Sequence, residues 1–215
     1  MKSFIALLLA LAMFPLPAAA AEPPVLIENP RAFVEKPVTP ELIEQLRAGG
    51  YVLYLRHGAT DTSRPDRVPS VDLDDCSTQR PLTEEGARIV AEVGKAIRKA
   101  KIPLGEILSS PLCRAKDSAF AAFGANFAVY EPLMYSANMT AEEKKPRVEA
   151  ARVLISSPVP AGTNRVLVAH APNLMDLMGY FPKPEGTLVV FKPLGDGRFE
   201  YLGNIAPEQW REVLR

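Results

Sequence analysis

Short apolar segments alternate with amphipathic segments along most of this chain, and this alternation limits the choice of fold more than any other feature. Residues 51–55 (YVLYL) form a continuous apolar run, and Arg165 is followed by a second apolar run at 166–169; such runs are typical of strands buried on both faces of a sheet. Between these runs, Ile89, Val93 and Ile97 recur at helical spacing. The alternation predicts an α/β protein, a three-layer α/β/α sandwich with a mostly parallel central sheet.

Turn and capping signals indicate the remaining elements. Further strands are predicted at 106–109 and 127–130, and in a closing hairpin at 187–191 and 199–202. Helices are predicted at 40–48, 83–101, 114–123, 140–157, 172–180 and 207–214. Residues 61–80 are polar and predict a long loop.

Composition and charge exclude several classes of protein. The chain has 215 residues, 47% of them hydrophobic, which excludes a disordered or collagen-like chain. With 25 basic and 25 acidic residues, the formal net charge is zero and predicts no nucleic-acid partner. Residues 22–38 are Pro-rich and predict an extended arm, which is followed by one domain at 39–215.

The first 21 residues have the features of an export signal. Lys2 precedes an uncharged apolar run at 4–14, and small residues then predict cleavage between Ala21 and Glu22. Eleven apolar residues are too few for a membrane span, which needs about 20. We therefore expect a periplasmic or secreted protein with no membrane span after cleavage.

Export changes what the two cysteines can do. An oxidising compartment permits a structural disulfide between Cys76 and Cys113, whereas the alternative is a pair of free thiols. Both alternatives stay open at this point, because the sequence does not give their separation.

The only two histidines of the chain each follow a predicted strand directly. His57 follows the strand at 51–55 within Arg56-His57-Gly58, and His170 follows the strand at 165–169. Glu131 comes after the short strand at 127–130. Ligands of parallel sheets bind beyond the carboxyl ends of the strands, so we expect these side chains to share one site.

The residue types at these strand ends predict a phosphate pocket. Arg56 and Arg114 supply fixed positive forks, and Arg114 also lies at a predicted helix start that favours an anion. A neutral His57 can attack phosphorus and carry the phosphoryl group, while His170 can donate to its oxygens. No third histidine is present for a typical zinc site, so we expect no metal.

Four ordered motifs between residues 50 and 205 resemble the histidine phosphatase superfamily, which has the phosphoglycerate-mutase-like fold. Residues 55–60 (LRHGAT) look like its RHG motif, and residues 109–119 (SSPLCRAKDSA) look like its second motif. Residues 81–86 (PLTEEG) and 166–170 (VLVAH) resemble the helix start and the second histidine strand.

The resemblance implies roles for the matching positions. His57 would become phosphohistidine, and Arg56, Arg114 and His170 would bind the phosphoryl group. Water would then hydrolyse the intermediate. No metal or organic cofactor is implied.

Three positions depart from the patterns of this superfamily. Ser63 stands where the mutase branch has Asn, Tyr135 stands in the position of that branch's Glu, and Ala171 stands where the acid-phosphatase branch has its acid. Asn173, in contrast, agrees with the acid-phosphatase branch. The resemblance therefore does not identify the proton donor.

Glu131 is our first candidate for that donor, because it closes the third strand, and Asp61 and Glu142 come next. A site without an acid is the remaining alternative and would suit good leaving groups, such as acyl phosphates or phosphohistidine. An acid typically contributes 10²–10⁴-fold in rate, so its absence would limit activity on alkyl phosphates.

These observations predict an exported, metal-independent phosphatase for small phosphomonoesters or phosphorylated envelope glycans. The polar loop at 61–80 and the stretch at 132–146 are expected to shape specificity. The alternatives are a protein that binds phosphorylated envelope ligands without turnover, and a phosphohistidine or acyl-phosphate phosphatase that lacks a general acid.

Overall fold

A computed structural model describes residues 33–215 of the chain. The predicted export signal at residues 1–21 lies outside the described residues, as does the predicted arm up to residue 32. The last residues of that arm lie beside a strand at the sheet edge: the backbone N–H of Val38 donates to the Asn204 carbonyl at 3.0 Å, and that of Asn204 donates to Lys36 at 2.8 Å.

The described residues contain six strands and six α-helices. The strands are β1 (Val52–Arg56), β2 (Leu104–Ser109), β3 (Ala128–Val129), β4 (Asn164–Ala169), β5 (Leu188–Gly195) and β6 (Arg198–Ile205). The helices are α1 (Pro40–Ala48), α2 (Glu84–Lys99), α3 (Cys113–Phe123), α4 (Ala141–Ser156), α5 (Ala171–Met178) and α6 (Trp210–Val213). Three-residue 3-10 turns lie at Cys76–Thr78, Glu131–Leu133 and Pro207–Gln209.

The strands form one sheet in the order β3-β2-β4-β1-β5-β6. The first four of these strands are parallel to one another, and β5 and β6 add an antiparallel hairpin at the β1 edge. Asp196 and Gly197 form the hairpin turn with φ values of 52° and 73°, the left-handed conformation that such two-residue turns require. The predicted mostly parallel sheet and closing hairpin are confirmed.

Successive side chains of β1 enter opposite faces of the sheet, because strand residues alternate in direction. Leu53 and Leu55 pack with residues of α1, α2 and α3, including Ile97. Val52 and Tyr54 pack on the other side with residues of α4 and α5. Helices therefore cover both faces, and the predicted three-layer α/β/α sandwich is confirmed.

Several helix ends follow from local capping. Thr83 accepts a hydrogen bond from the Gly86 backbone and starts α2, and Thr140 with Glu143 forms the capping box that starts α4. The predicted helix at 207–214 is instead a 3-10 turn followed by one α-helical turn.

Among residues 33–215, no helix combines the length and the apolar character needed to cross a bilayer.

Candidate active site

The two histidines meet at the carboxyl edge of the sheet. β1 and β4 are parallel neighbours with Arg56 paired to Ala169, so His57 and His170 leave the sheet side by side. Their ring centroids are 5.1 Å apart at an interplanar angle of 61°. Both residues are buried.

One hydrogen bond determines which nitrogen of the His57 ring carries the hydrogen. The ring atom Nδ1 lies 2.7 Å from the Gly58 carbonyl oxygen. Because a carbonyl can only accept, Nδ1 carries the hydrogen and Nε2 of the neutral ring has a free lone pair. Burial, followed by the nearby charge of Arg114, lowers the pKa of His57 to about 3. His57 is therefore neutral at pH 7.

The glycine after His57 is needed for helix packing. A Cβ atom at Gly58 would lie 2.5 Å from the Gly86 carbonyl oxygen in the first turn of α2, and one at Gly86 would lie 2.2 Å from the Ala59 oxygen. The turn after β1 and the start of α2 therefore approach too closely for any side chain. The lack of a side chain at Gly58 therefore serves this contact with α2.

His170 is held through both its backbone and its ring. The Tyr54 hydroxyl donates to the His170 carbonyl at 2.8 Å, and ring atom Nε2 lies 2.8 Å from the Ser110 hydroxyl. Nδ1 is buried and has no partner within the described residues. Burial, and then the neighbouring His57 and Arg114, hold the pKa of His170 well below its usual value.

Two arginines bring partly unpaired guanidinium groups to the histidines. Arg114 is 0% exposed, and its Nη1 donates to Asp66 at 2.9 Å. Arg56 donates to the Pro182 carbonyl at 2.7 Å and pairs with the Glu185 carboxylate. Within the described residues, Nε and Nη2 of Arg114 and Nε of Arg56 are buried without a partner. Because unpaired buried donors are costly, these atoms indicate a binding place for an anion.

A third arginine, Arg80, was missed by the sequence analysis. Its backbone N–H donates to Asp66 at 2.8 Å, and its Nε is buried without a partner in the described part of the chain. Its charge helps to lower the pKa of both His57 and His170, so it lies near the pair. The only sequence signal was its place directly before the Pro81-Leu82-Thr83 motif.

A disulfide attaches the end of the polar loop to α3. Cys76 and Cys113 are bonded, with their Cα atoms 5.8 Å apart, which settles the alternative between a disulfide and free thiols. The Gln79 side chain also accepts a hydrogen bond from the Cys113 backbone N–H at 2.7 Å. The loop end that carries Arg80 is thereby fixed beside the first turn of α3, where Arg114 lies.

The three carboxylates considered as proton donors lie on the surface. Glu131 is in an ion pair with Arg147 at 2.7 Å, and its side chain is 58% exposed. Asp61 accepts two hydrogen bonds from Ser63, and Glu142 is exposed in the first turn of α4. No hydrogen bond joins any of them to His57 or His170 within residues 33–215.

Tyr135 is a second residue that the sequence analysis did not place in the site. Its ring lies against the Arg114 guanidinium group and the His170 ring. The sequence signal was its position in the pattern where the mutase branch has Glu.

No group of three or more His, Cys, Asp or Glu side chains is placed to hold a metal ion among residues 33–215.

Comparison with known proteins gives the fold. A scan against family models finds no match, and a search of curated proteins finds none either. The protein histidine phosphatase SixA complexed with tungstate is similar at 14% identity and a TM-score of 0.51, covering 74% of this chain and 98% of that chain. SixA from Agrobacterium tumefaciens is 20% identical at a TM-score of 0.51, covering 74% of this chain and 99% of that one.

Phosphoserine phosphatase from Entamoeba histolytica, in complex with 3-phosphoglyceric acid, is 16% identical at a TM-score of 0.52, covering 73% of this chain and 96% of that one. These neighbours belong to the histidine phosphatase superfamily. The chain shares their phosphoglycerate-mutase-like fold, as the sequence motifs predicted. Within this fold the two histidines are in ring contact, and the charges of Arg56, Arg80 and Arg114 act on both of them.

Proposed function

We propose that the chain is an exported phosphatase that hydrolyses phosphomonoesters through a phosphohistidine intermediate on His57, without a metal ion. The observation that carries the proposal is the state of the His57 ring. Its Nδ1–H is bound to the Gly58 carbonyl, so Nε2 has a free lone pair in a neutral, buried ring. Buried donors of Arg56 and Arg114 without a partner lie beside it among the described residues.

The reaction has two steps. His57 Nε2 attacks phosphorus, the bond from phosphorus to the leaving-group oxygen breaks, and that oxygen takes up a proton. Water then attacks the phosphohistidine and returns a proton to the group that protonated the leaving oxygen, the P–N bond breaks, and its electron pair returns to Nε2 as phosphate leaves. Arg56 and Arg114 bind the equatorial oxygens, and His170 donates to them as charge develops.

The structural neighbours support a small phosphorylated substrate. Two of them are, by name, a protein histidine phosphatase and a phosphoserine phosphatase, so this fold carries phosphatase sites with different leaving groups. The alternative of binding without turnover does not explain the His57 ring, because binding alone does not require a free nucleophilic nitrogen. We therefore favour an enzyme.

A second candidate function is hydrolysis of acyl phosphates or phosphohistidine without a general acid. It is favoured by the carboxylates around the pocket, which are already in ion pairs: Asp66 with Arg114, and Glu185 with Arg56. Glu131 remains our prediction from the sequence, although it pairs with Arg147. Substrates with poor leaving groups separate the two functions, because only they need a proton donor.

The first test is hydrolysis of p-nitrophenyl phosphate from pH 4 to 8 with EDTA present. The pH dependence of kcat/KM reports groups of the free enzyme, in which the pKa of His57 is about 3. The lowered pKa keeps His57 neutral throughout this range, so we expect no loss of kcat/KM from its protonation above pH 4. EDTA should have no effect.

Rapid acid or alkaline quenching with a radiolabelled substrate shows whether the phosphoenzyme is acid-labile and alkali-stable, as a phosphohistidine is. Chelator-sensitive activity would contradict the metal-free mechanism. An acid-stable phosphoenzyme would contradict phosphohistidine.

Export is supported by the signal features of residues 1–21 and by the Cys76–Cys113 disulfide, because disulfides persist in oxidising compartments. When the full chain is expressed in a bacterium, we expect a mature protein that begins at Glu22 in the periplasm or medium. Mass spectrometry of each cell fraction checks this. An uncleaved cytoplasmic chain would contradict export and, with it, our proposal of phosphorylated envelope glycans as substrates.

A further inference from the structure

The Tyr135 ring contacts two of the groups that are proposed to bind the phosphoryl group, Arg114 and His170. Its ring centroid is 5.0 Å from the Arg114 guanidinium carbon, and its ring meets that of His170 edge to face with centroids 5.3 Å apart. His57 also contacts His170, but among residues 33–215 no ring contact joins it to Tyr135. His170 thus contacts both rings, whereas Tyr135 has its second contact with Arg114 and not with His57.

The Tyr135 hydroxyl is available to a ligand. Within the described residues the Tyr135 hydroxyl has no hydrogen-bond partner; the same holds for Tyr130, but only Tyr135 of these two contacts Arg114 and His170. The Tyr135 side chain is partly exposed. The Tyr135 oxygen, when negatively charged, raises the pKa of both Arg56 and Arg114. It therefore lies close enough to interact electrostatically with the two guanidinium groups.

In-line phosphoryl transfer puts any proton donor for the leaving oxygen on the side of phosphorus opposite the nucleophile. The attacking nitrogen and the leaving oxygen lie on opposite sides of phosphorus. If His57 attacks from one side and the arginines bind the equatorial oxygens, the leaving oxygen is directed away from His57. Tyr135 carries a hydroxyl next to Arg114 and His170 and makes no ring contact with His57 within residues 33–215, as expected of a donor on the leaving-group side.

We propose that Tyr135 is a catalytic residue that donates its hydroxyl hydrogen to the leaving-group oxygen; this rests on the proposed function. As His57 Nε2 bonds to phosphorus, the P–O bond breaks and the leaving oxygen takes the phenol proton. The phenolate formed lies beside the Arg114 cation, which stabilises it. The water that attacks phosphohistidine in the second step returns a proton to Tyr135, so the cycle balances.

The test compares Tyr135→Phe with wild type on two substrates, p-nitrophenyl phosphate and benzyl phosphate. The phenylalanine ring keeps its contact with Arg114, so the change removes only the hydroxyl. We expect kcat/KM for benzyl phosphate to fall about 10²-fold, because its alkoxide leaving group needs a proton. For p-nitrophenyl phosphate we expect less than about a fivefold decrease, because its leaving group needs little protonation. The inhibition constant for inorganic phosphate should stay within twofold.

Two matched variants complete the experiment. Tyr51→Phe removes a hydroxyl that bonds Gln45 next to the amino end of β1, and should leave both substrates unaffected. Glu131→Gln tests the carboxylate predicted from the sequence. A leaving-group effect in Glu131→Gln and not in Tyr135→Phe would assign the acid to Glu131 and overturn the proposal.

Other outcomes are equally decisive. Equal losses on both substrates in Tyr135→Phe would show a structural role, and unchanged rates on both would show no role. A wild type that hydrolyses p-nitrophenyl phosphate but not benzyl phosphate has no acid, which overturns the role of Tyr135 and leaves phosphohistidine chemistry intact. A wild type that hydrolyses neither overturns the proposed function itself.

Discussion

Replacing His57 with alanine is expected to lower turnover of p-nitrophenyl phosphate at least about 10⁴-fold, the scale on which removal of an activated nucleophile acts. His170 is the only other imidazole in the sequence, and its Nε2 is bonded to Ser110. In the proposed mechanism its Nδ1 carries the hydrogen that is donated to the phosphoryl oxygens, so neither ring nitrogen offers a free lone pair for the attack. Water would have to attack the bound ester directly. The loss should appear in kcat, measured under saturating substrate.

The same variant should still bind inorganic phosphate, because the donors of Arg56 and Arg114 do not depend on the His57 ring. Calorimetric titration with phosphate therefore separates a lost nucleophile from a collapsed pocket. Urea unfolding measures how much the free energy of unfolding falls because of the cavity that the missing ring leaves in a buried site. His57→Asn, which fills more of that cavity, is a second variant with the same expected loss. Turnover within tenfold of wild type in both variants, with no labelled phosphoenzyme, would refute His57 as the nucleophile.

The meeting of His57 and His170 could be predicted because each follows a buried apolar strand. A strand that is buried on both faces has few alternatives to a place inside a sheet. Parallel pairing of two such strands then brings their carboxyl ends to one edge. No detail of the loops enters this inference, so local patterns sufficed.

The parts of the site contributed by the loop at 61–80 could not be predicted in the same way. Asp66 reaches Arg114 across 48 residues of sequence, and it does so from a segment without apolar periodicity. The loop is fixed by the Cys76–Cys113 bond and by Gln79, which are contacts between distant residues. Side-chain partners in such loops follow from three-dimensional closeness, which a one-dimensional pattern does not contain.

The stretch after β3 shows how a single turn redirects side chains. The sequence placed Glu131 at a strand end and therefore at the shared edge. In the structure β3 has only two residues, and Glu131 begins a 3-10 turn that directs its carboxylate to Arg147. The same turn is followed by Tyr135, which contacts Arg114 and His170. After this turn Tyr135, and not Glu131, contacts Arg114, and a strand of two residues has a weak sequence signal.

Replacing Arg114 with alanine is expected to reduce kcat/KM for p-nitrophenyl phosphate about 10²- to 10⁴-fold. Nε and Nη2 of Arg114 are two buried donors without a partner within residues 33–215. A charge-assisted hydrogen bond contributes about 1.5–3 kcal/mol, and two such bonds to the phosphoryl oxygens account for the range. The variant also leaves Asp66 without its Arg114 partner near the pocket, so repulsion of the phosphate adds to the loss.

Arg88→Ala is the matched control, because Arg88 is an exposed arginine that pairs with Glu85 one helical turn away, and exposed pairs contribute little. Its kinetics should be unchanged. Arg114→Lys keeps the positive charge but not the planar fork, so it should recover only part of the activity. If binding rather than chemistry carries the effect, the affinity for inorganic phosphate falls in parallel with kcat/KM; a change below twofold in both would remove Arg114 from the phosphate pocket. Such a result would assign its two unpaired donors to ordered water instead of a bound anion, because buried donors are satisfied by one or the other.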